Sequence, residues 1–395
     1  MHPGDADADR VLSARAMITR VRPHMAAMGI TRLADLTGLD RIGVPVFAAV
    51  RPNARSVATS QGKGLAPDAA RVGALMEAVE SWHAERPPGL VRYASARDLA
   101  GLPLADIARL PRMAGQSFDP DRPILWSEGR DLATGEPRWL PFELVHTDYR
   151  LPQPPSAGCF PVTSNGLGAA ITEAEAVRHA LLEVIERDAL SVWQQRPLPV
   201  RLAGQVALDA TPELAELAGA LRHAGLDVAL HDVTGDLAVP TFLAVLADRR
   251  EPDGHAGLGS ASHPSPALAA LKAVLEAVQV RTGYIAGARD DLAPAEFAAG
   301  GPQAKTRGIE ALLGDKAAQP LRPAGPEAAL PAEAQVAWLL ERLGTAGMGE
   351  AILVDLGRPE IGLAVVRVVV AGLEAAADDP GYRPGARALA ARAGR

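Results

Sequence analysis

The chain has a single cysteine, Cys159, in 395 residues. An internal disulfide and a cysteine-built zinc site are therefore excluded, and a reducing compartment is expected. Histidine does not fill the gap. The nine histidines show neither an HxxxH nor an HExxH spacing, so zinc hydrolysis is unsupported. Aromatic residues make up only 4% of the chain, so the 48% that is hydrophobic implies a core of Ala, Leu and Val. Long apolar runs are also missing: the longest, IGLAVV to VVVAGL, is interrupted by Arg367 and is too short to cross a bilayer. The opening MHPGDADADR is acidic and has no apolar stretch, so no signal peptide is read and a cytoplasmic protein is expected. Excess basic charge is absent too. The formal net charge is −7 with interspersed signs, which argues against a nucleic-acid partner held by a basic surface.

What the chain does have is two glutamate pairs, each three residues apart on an apolar, alanine-rich helix. Glu77 and Glu80 lie in RVGALMEAVESWHAE, and Glu183 and Glu186 in AVRHALLEVIERDAL. Residues at that spacing share one side of a helix. Leu75, Met76, Ala78 and Val79 flank the first pair, and Leu181, Leu182, Val184 and Ile185 flank the second, leaving little polar arc for a merely solvated face. Carboxylates set in apolar surroundings call for a cation, and a cage of four is the ligand chemistry of Mg²⁺.

Around these helices the pattern predicts a mixed α+β protein. Helices are predicted over 67–85, 172–193, 212–224 and 265–284. Strands are predicted within 43–60, in LDVALHDVTG and VPTFLAVLAD, and at 350–356 and 361–372. The expected organisation is an N-terminal helical segment over 1–42, one catalytic domain over 43–375, and an exposed tail over 376–395. Residues 285–335, rich in Ala, Gly and Pro, are a candidate mobile insertion.

A weak internal repeat runs through the chain. SQGKG (60–64), SNGLG (164–168) and GLGS (257–260) each precede an Ala-rich helix carrying an inward glutamate: Glu77, Glu183 or Glu276. Small-residue turns entering helices expose N–H groups suited to phosphate. Taken singly the motifs are poor. SQGKG fails the Walker pattern, with Val57 where a glycine is needed and Gly64 in place of Ser or Thr. Read alone, Lys63 is a surface turn lysine. GLGSAS puts Ser262 where a dinucleotide fingerprint needs Gly or Ala.

In combination, SQGKG…EAVESWHAE, SNGLGAAITEAEAVRHALLEVIERDA and GSASHP…ALKAVLEAVQVR resemble the YcaO family over roughly residues 30–372. The opening GITRLADLTGLDRIGVPVFAAVRPNARS looks most like the subgroup encoded beside TfuA-like partners. The resemblance implies a YcaO-like fold that binds ATP and Mg²⁺ and activates a peptide backbone amide by phosphorylating its oxygen. A side-chain nucleophile then gives an azoline, and a sulfide donor gives a thioamide. Carried over by motif, Glu77, Glu80, Glu183 and Glu186 are implied metal ligands. Arg187 and Arg281 are implied phosphate-side, catalytic arginines, with Glu175, Ser60, Lys63 and Gln279 implied in nucleotide binding. Arg10 and Ser13 are N-terminal candidates for the same role. A homodimer, a peptide or protein substrate and a TfuA-like partner are also implied, and the lone Cys159 receives no catalytic role.

Two departures bear on the transfer. Ile171 stands where many relatives have an asparagine that holds the nucleotide, and isoleucine offers no hydrogen bond there. The ending ARALAARAGR lacks the Pro-x-Pro-x-Pro pattern of azoline formers, which favours a thioamide product. The alternatives are an azoline-forming cyclodehydratase of ribosomal peptide natural products and a YcaO-like protein that binds a peptide or partner without turnover.

Overall fold

The computed structural model describes residues 11–248, 250–251, 254–298, 300–314, 318–375 and 381–394. Its helices are α1 (Ala14–Val21), α2 (Pro67–Ala84), α3 (Glu173–Gln195), α4 (Leu198–Leu202), α5 (Pro212–His223), α6 (Pro266–Ala286), α7 (Gly301–Leu313), α8 (Ala332–Thr345) and α9 (Ala386–Arg392). The strands begin with β1 (Arg32–Asp35), β2 (Val46–Val50), β3 (Thr59–Lys63), β4 (Val91–Ala94), β5 (Arg112–Met113), β6 (Ile124–Asp131), β7 (Pro137–Pro141) and β8 (Leu167–Ala170). They continue with β9 (Gln205–Val206), β10 (Leu226–Asp232), β11 (Thr241–Asp248), β12 (Gly257–Ser262), β13 (Ala351–Asp355), β14 (Ala364–Val370) and β15 (Tyr382–Arg383). The fold is mixed α+β, as expected. Among the described residues no helix is long and apolar enough to cross a membrane. The chain divides into two compact units.

The first unit takes the described residues up to Ala78, Leu198–Thr234 and Pro240–Ala329. It holds an antiparallel sheet in the order β1-β2-β3 and a second in the order β12-β11-β10-β9. Every residue of β11 is buried, which explains its unbroken apolar run. Phe242, Ala244 and Leu246 of β11 pack with Leu214, Leu217 and Leu221 of α5 and with Ala273, Val274 and Ala277 of α6. The supposed mobile insertion contains α7, which lies against β10 and β11. Its Ile309 and Leu312 are buried, and the Leu312 carbonyl meets His231 Nε2 at 2.9 Å. Residues 299 and 315–317 of that stretch lie outside the described residues.

The second unit comprises Val79–Pro197, Gly235–Val239 and the described residues from Leu330 onward. Its sheet has the order β4-β6-β13-β14-β8, with β7 paired to β6. Val366, Val368 and Val370 of β14 pack with Ala180, Leu181 and Val184 of α3 and Leu339 and Leu343 of α8. The C-terminal stretch, mostly exposed or half-buried, is tied to the unit through α9. Ala388 and Ala391 of α9 are buried, and Arg387 forms an ion pair with Asp188 of α3 at 2.8 Å. Residues 376–380 lie outside the described residues.

The three repeated motifs are strands rather than phosphate turns. SQGK lies in β3, LG of SNGLG in β8, and GLGS in β12. Their glycines allow a helix backbone to lie directly on the strand. A Cβ on Gly62 would stand 2.2 Å from both Ala70 O and Ala74 N of α2, and one on Gly168 2.2 Å from Ala176 O of α3. Gly259 of β12 meets α6 in the same way. Because backbone cannot give way, Gly168→Ala is expected to lower stability by about 2–3 kcal/mol in urea unfolding. Gly219→Ala, in α5 with open space around it, should raise stability by about 0.5–1 kcal/mol.

His146 supplies a pH signature. It is buried, stacked on Phe142, and its Nδ1 accepts from the Asp148 N–H at 3.1 Å, which requires an unprotonated Nδ1. Burial, with the charge of Arg367, lowers its pKa to about 4. A folded-state pKa below the unfolded one means the unfolded chain takes up the proton first. The contribution is complete above about pH 6.5 and is lost as pH falls towards 4. Across that window the wild type should lose about 2–3 kcal/mol more than His146→Asn, read from urea unfolding at each pH.

Candidate functional site

Each glutamate of the α2 pair takes an N–H from an edge strand. Gln61 of β3 sits opposite Ala48 of β2, and its N–H points away from β2 to Glu77 Oε2 at 2.9 Å. Ala169 of β8 does the same, donating to Glu80 Oε1 at 2.9 Å. These bonds cover edge groups that would otherwise be unpaired and fix each carboxylate in place. Glu77 is open to solvent, yet so much protein surrounds it that desolvation raises its carboxyl above the usual range. The Gln61 N–H and the charges of Lys63 and Arg289 only partly offset this. An accessible carboxylate short of positive charge fits a hard divalent cation.

On α3 the second pair stands out by its access. Glu183 and Glu186 are half-buried, while Leu181, Leu182, Val184 and Ile185 around them are buried. Arg187 lies one turn from Glu183, with Nη2 at 4.0 Å from Oε1. The helix starts at a capping box. Thr172 Oγ1 accepts from Glu175 N at 3.2 Å, and Glu175 Oε2 takes the Thr172 hydroxyl at 3.1 Å and its N–H at 3.4 Å. Glu175 is therefore engaged in starting α3. Ile171 directly precedes this cap, a position where an apolar side chain serves helix entry.

Arg281 is held within the fold. Its Nε and Nη2 donate to Asp40 Oδ2 at 2.8 Å and Asp248 Oδ2 at 2.9 Å, and its Nη1 to His255 O at 2.7 Å. Asp248 also takes Arg41 Nη2 at 2.5 Å. Burial raises the Asp248 carboxyl, but the Arg41 bond, backbone N–H groups and the Arg281 charge hold it below its usual value. All three nitrogens that could grip a phosphate are already committed to the fold.

Lys63 is no surface turn residue. It ends β3 and pairs with Glu276 of α6 at 3.1 Å. Ser60 Oγ and Gln279 Oε1 are buried without hydrogen-bond partners, so both have capacity for a ligand. Ser13 caps α1 through the Ala16 N–H, and Arg10 lies outside the described residues. Cys159 is buried, and burial raises its thiol further from the thiolate. Among the described residues no group of three or more His, Cys, Asp or Glu converges as a ready metal cluster.

Arg367 was read from sequence only as an interruption. It is 1% exposed and donates to the carbonyls of Asn165 and Thr163, anchoring the segment that leads into β8. Burial lowers its pKa to about 10. A charge inside an apolar strand was the signal for such an anchor.

The profile of the YcaO cyclodehydratase family, described as ATP- and Mg²⁺-binding, matches residues 61–374. The chain belongs to the YcaO family. A Rhizobium leguminosarum bv. trifolii relative, described as an uncharacterized protein in the tfuA 3′ region, is 33% identical over 93% of this chain and 89% of its own. The structure of YcaO from Methanopyrus kandleri bound with AMPPCP and Mg²⁺ matches with a TM-score of 0.72 at 25% identity, covering 92% of each chain. A heterocyclase in complex with substrate and cofactor matches with a TM-score of 0.75 at 22% identity, over 93% of this chain and 53% of its own. The family resemblance read from the three motifs is thus borne out, and the cofactors of this YcaO protein are ATP and Mg²⁺. Oxygen donors at Glu77, Glu80, Glu183 and Glu186 suit that metal.

Removing Arg281 tests its structural role. Arg281→Ala takes a buried cation from Asp40 and Asp248, of which Asp248 keeps Arg41, and should cost about 2–4 kcal/mol in urea unfolding, and Arg281→Lys, lacking the three-way fork, should recover only part.

Proposed function

We propose that this YcaO protein phosphorylates the oxygen of a peptide backbone amide with ATP and exchanges that oxygen for sulfur, giving a thioamide. The observation that carries the reading is the accessible α3 pair, Glu183 and Glu186, in an otherwise buried helix segment. With Glu77 and Glu80 of α2 these are the carboxylates assigned to Mg²⁺, which when bound neutralises phosphate charge. Arg187 adds a guanidinium beside Glu183, and Lys63, Ser60 and Gln279 supply a cation, a hydroxyl and an amide to the nucleotide. Phosphoryl transfer needs positioning and charge stabilisation more than side-chain nucleophiles. The buried Cys159 thiol accordingly has no part.

In the reaction the amide oxygen attacks the γ-phosphorus of ATP, ADP leaves, and the amide nitrogen releases its proton. Hydrosulfide then adds at the amide carbon, and phosphate departs carrying the original oxygen. The hydrosulfide proton balances the one released. The tfuA-region relative supports a TfuA-like partner that handles the sulfur. The heterocyclase neighbour keeps azoline formation as the second reading. A homodimer in the cytoplasm completes the proposal.

Glu183→Gln and Glu186→Gln should keep the fold but lose the rise in melting temperature that Mg·ATP gives the wild type. Wild-type shifts in both variants would contradict the carboxylate assignment. With peptide, sulfide source and TfuA-like partner, the product mass should rise by ~16 Da as phosphate is released. A loss of ~18 Da would move the assignment to azoline formation, and tight peptide binding without turnover would leave a binding protein.

A further inference from the structure

The face of β3 turned towards α6 carries polar atoms that the fold leaves unpaired. Side chains alternate along a strand. Gly62 lies under α2, whereas Gln61 and Lys63 face α6. Lys63 meets Glu276 at one end of this seam. At the other end Gln61 lies over Gly283, where a Cβ would stand 2.8 Å from Gln61 Oε1 and 3.0 Å from its Nε2. Glu276, Gln279 and Gly283 follow one another at helical spacing on the same side of α6.

Gln61 is only 5% exposed, yet neither Nε2 nor Oε1 has a hydrogen-bond partner. Gln279 Oε1, a turn from Gly283, is also buried and unpartnered. The Gln61 Nε2 is thus a buried donor without an acceptor, which a second molecule can supply. Its chemistry follows from the neighbours. The Gln61 main-chain N–H already holds Glu77, a carboxylate assigned to magnesium, and Lys63 two residues on supplies a cation. Magnesium carboxylate, ammonium and amide donor together suit a polyphosphate.

We propose that the Gln61 side-chain amide, which the glycine at 283 leaves room to seat, donates to the polyphosphate of Mg·ATP. The family motif did not single out this residue, and the proposal rests on the Mg·ATP reading above.

The test is calorimetric titration of Gln61→Leu with Mg·ATP and with magnesium tripolyphosphate, alongside melting of the ligand-free protein. Leucine keeps the bulk and removes the orphaned polar atoms. Affinity for both ligands should fall about tenfold or more, while the ligand-free melting temperature rises. Gly283→Ala, which crowds the amide, should weaken both ligands in the same direction. Wild-type affinity in Gln61→Leu would overturn the proposal while leaving the Mg·ATP reading intact. A lower ligand-free melting temperature would also overturn it, by showing that the amide serves the fold. Loss for ATP but not tripolyphosphate would overturn the phosphate assignment. A wild type that binds no Mg·ATP would sink both readings.

Discussion

How closely a helix backbone can approach a strand governs the geometry of this site. Ordinary side chains between helix and sheet would hold the two apart. At Gly62 and Gly168 no side chain intervenes, and the backbones of α2 and α3 lie at distances no Cβ would allow. On α2 this fixes where a glutamate can reach. Glu77 meets the outer N–H of β3, and Glu80 meets that of β8. Each edge group gains a charged acceptor, and each carboxylate is fixed in place by that bond.

The fate of the cations separates architecture from chemistry. Arg281 is bound to two aspartates and a carbonyl, Arg387 clamps α9 to Asp188, and Arg367 anchors the segment before β8. A buried guanidinium that loses its partners is costly, so these three resist redeployment to a ligand. Lys63 and Arg187 differ. Their ion pairs involve side chains that are 22–32% exposed, where solvent weakens the attachment. Exchange of such partners for a phosphate costs little.

Much of this organisation was legible in the sequence. The long periodic helices α2, α3, α5 and α6 and the apolar strands β10, β11, β13 and β14 fall within a few residues of their expected places. The family followed from three motifs in combination. What misled was glycine. SQGK and GLGS have the composition of turns, but their glycines mark strands pressed against helices, a contact visible only when the helix is in place. Alanine-, proline- and glycine-rich text likewise hid α7 and α8, although Leu339 and Leu343 of α8 are buried. Arg281 could not be judged locally, because its partners Asp40 and Asp248 lie 241 and 33 residues away. Glu175 could have been: Thr172 three residues before it spells a capping box.

The central claim is that glutamates of α2 and α3 hold the metal of a bound nucleotide. An anomalous difference map from crystals grown with Mn²⁺ and a non-hydrolysable ATP analogue tests it directly. The account predicts a metal peak about 2.1 Å from carboxylate oxygens of Glu183 or Glu186 and of Glu77 or Glu80. A bound analogue whose metal touches none of these four would contradict it.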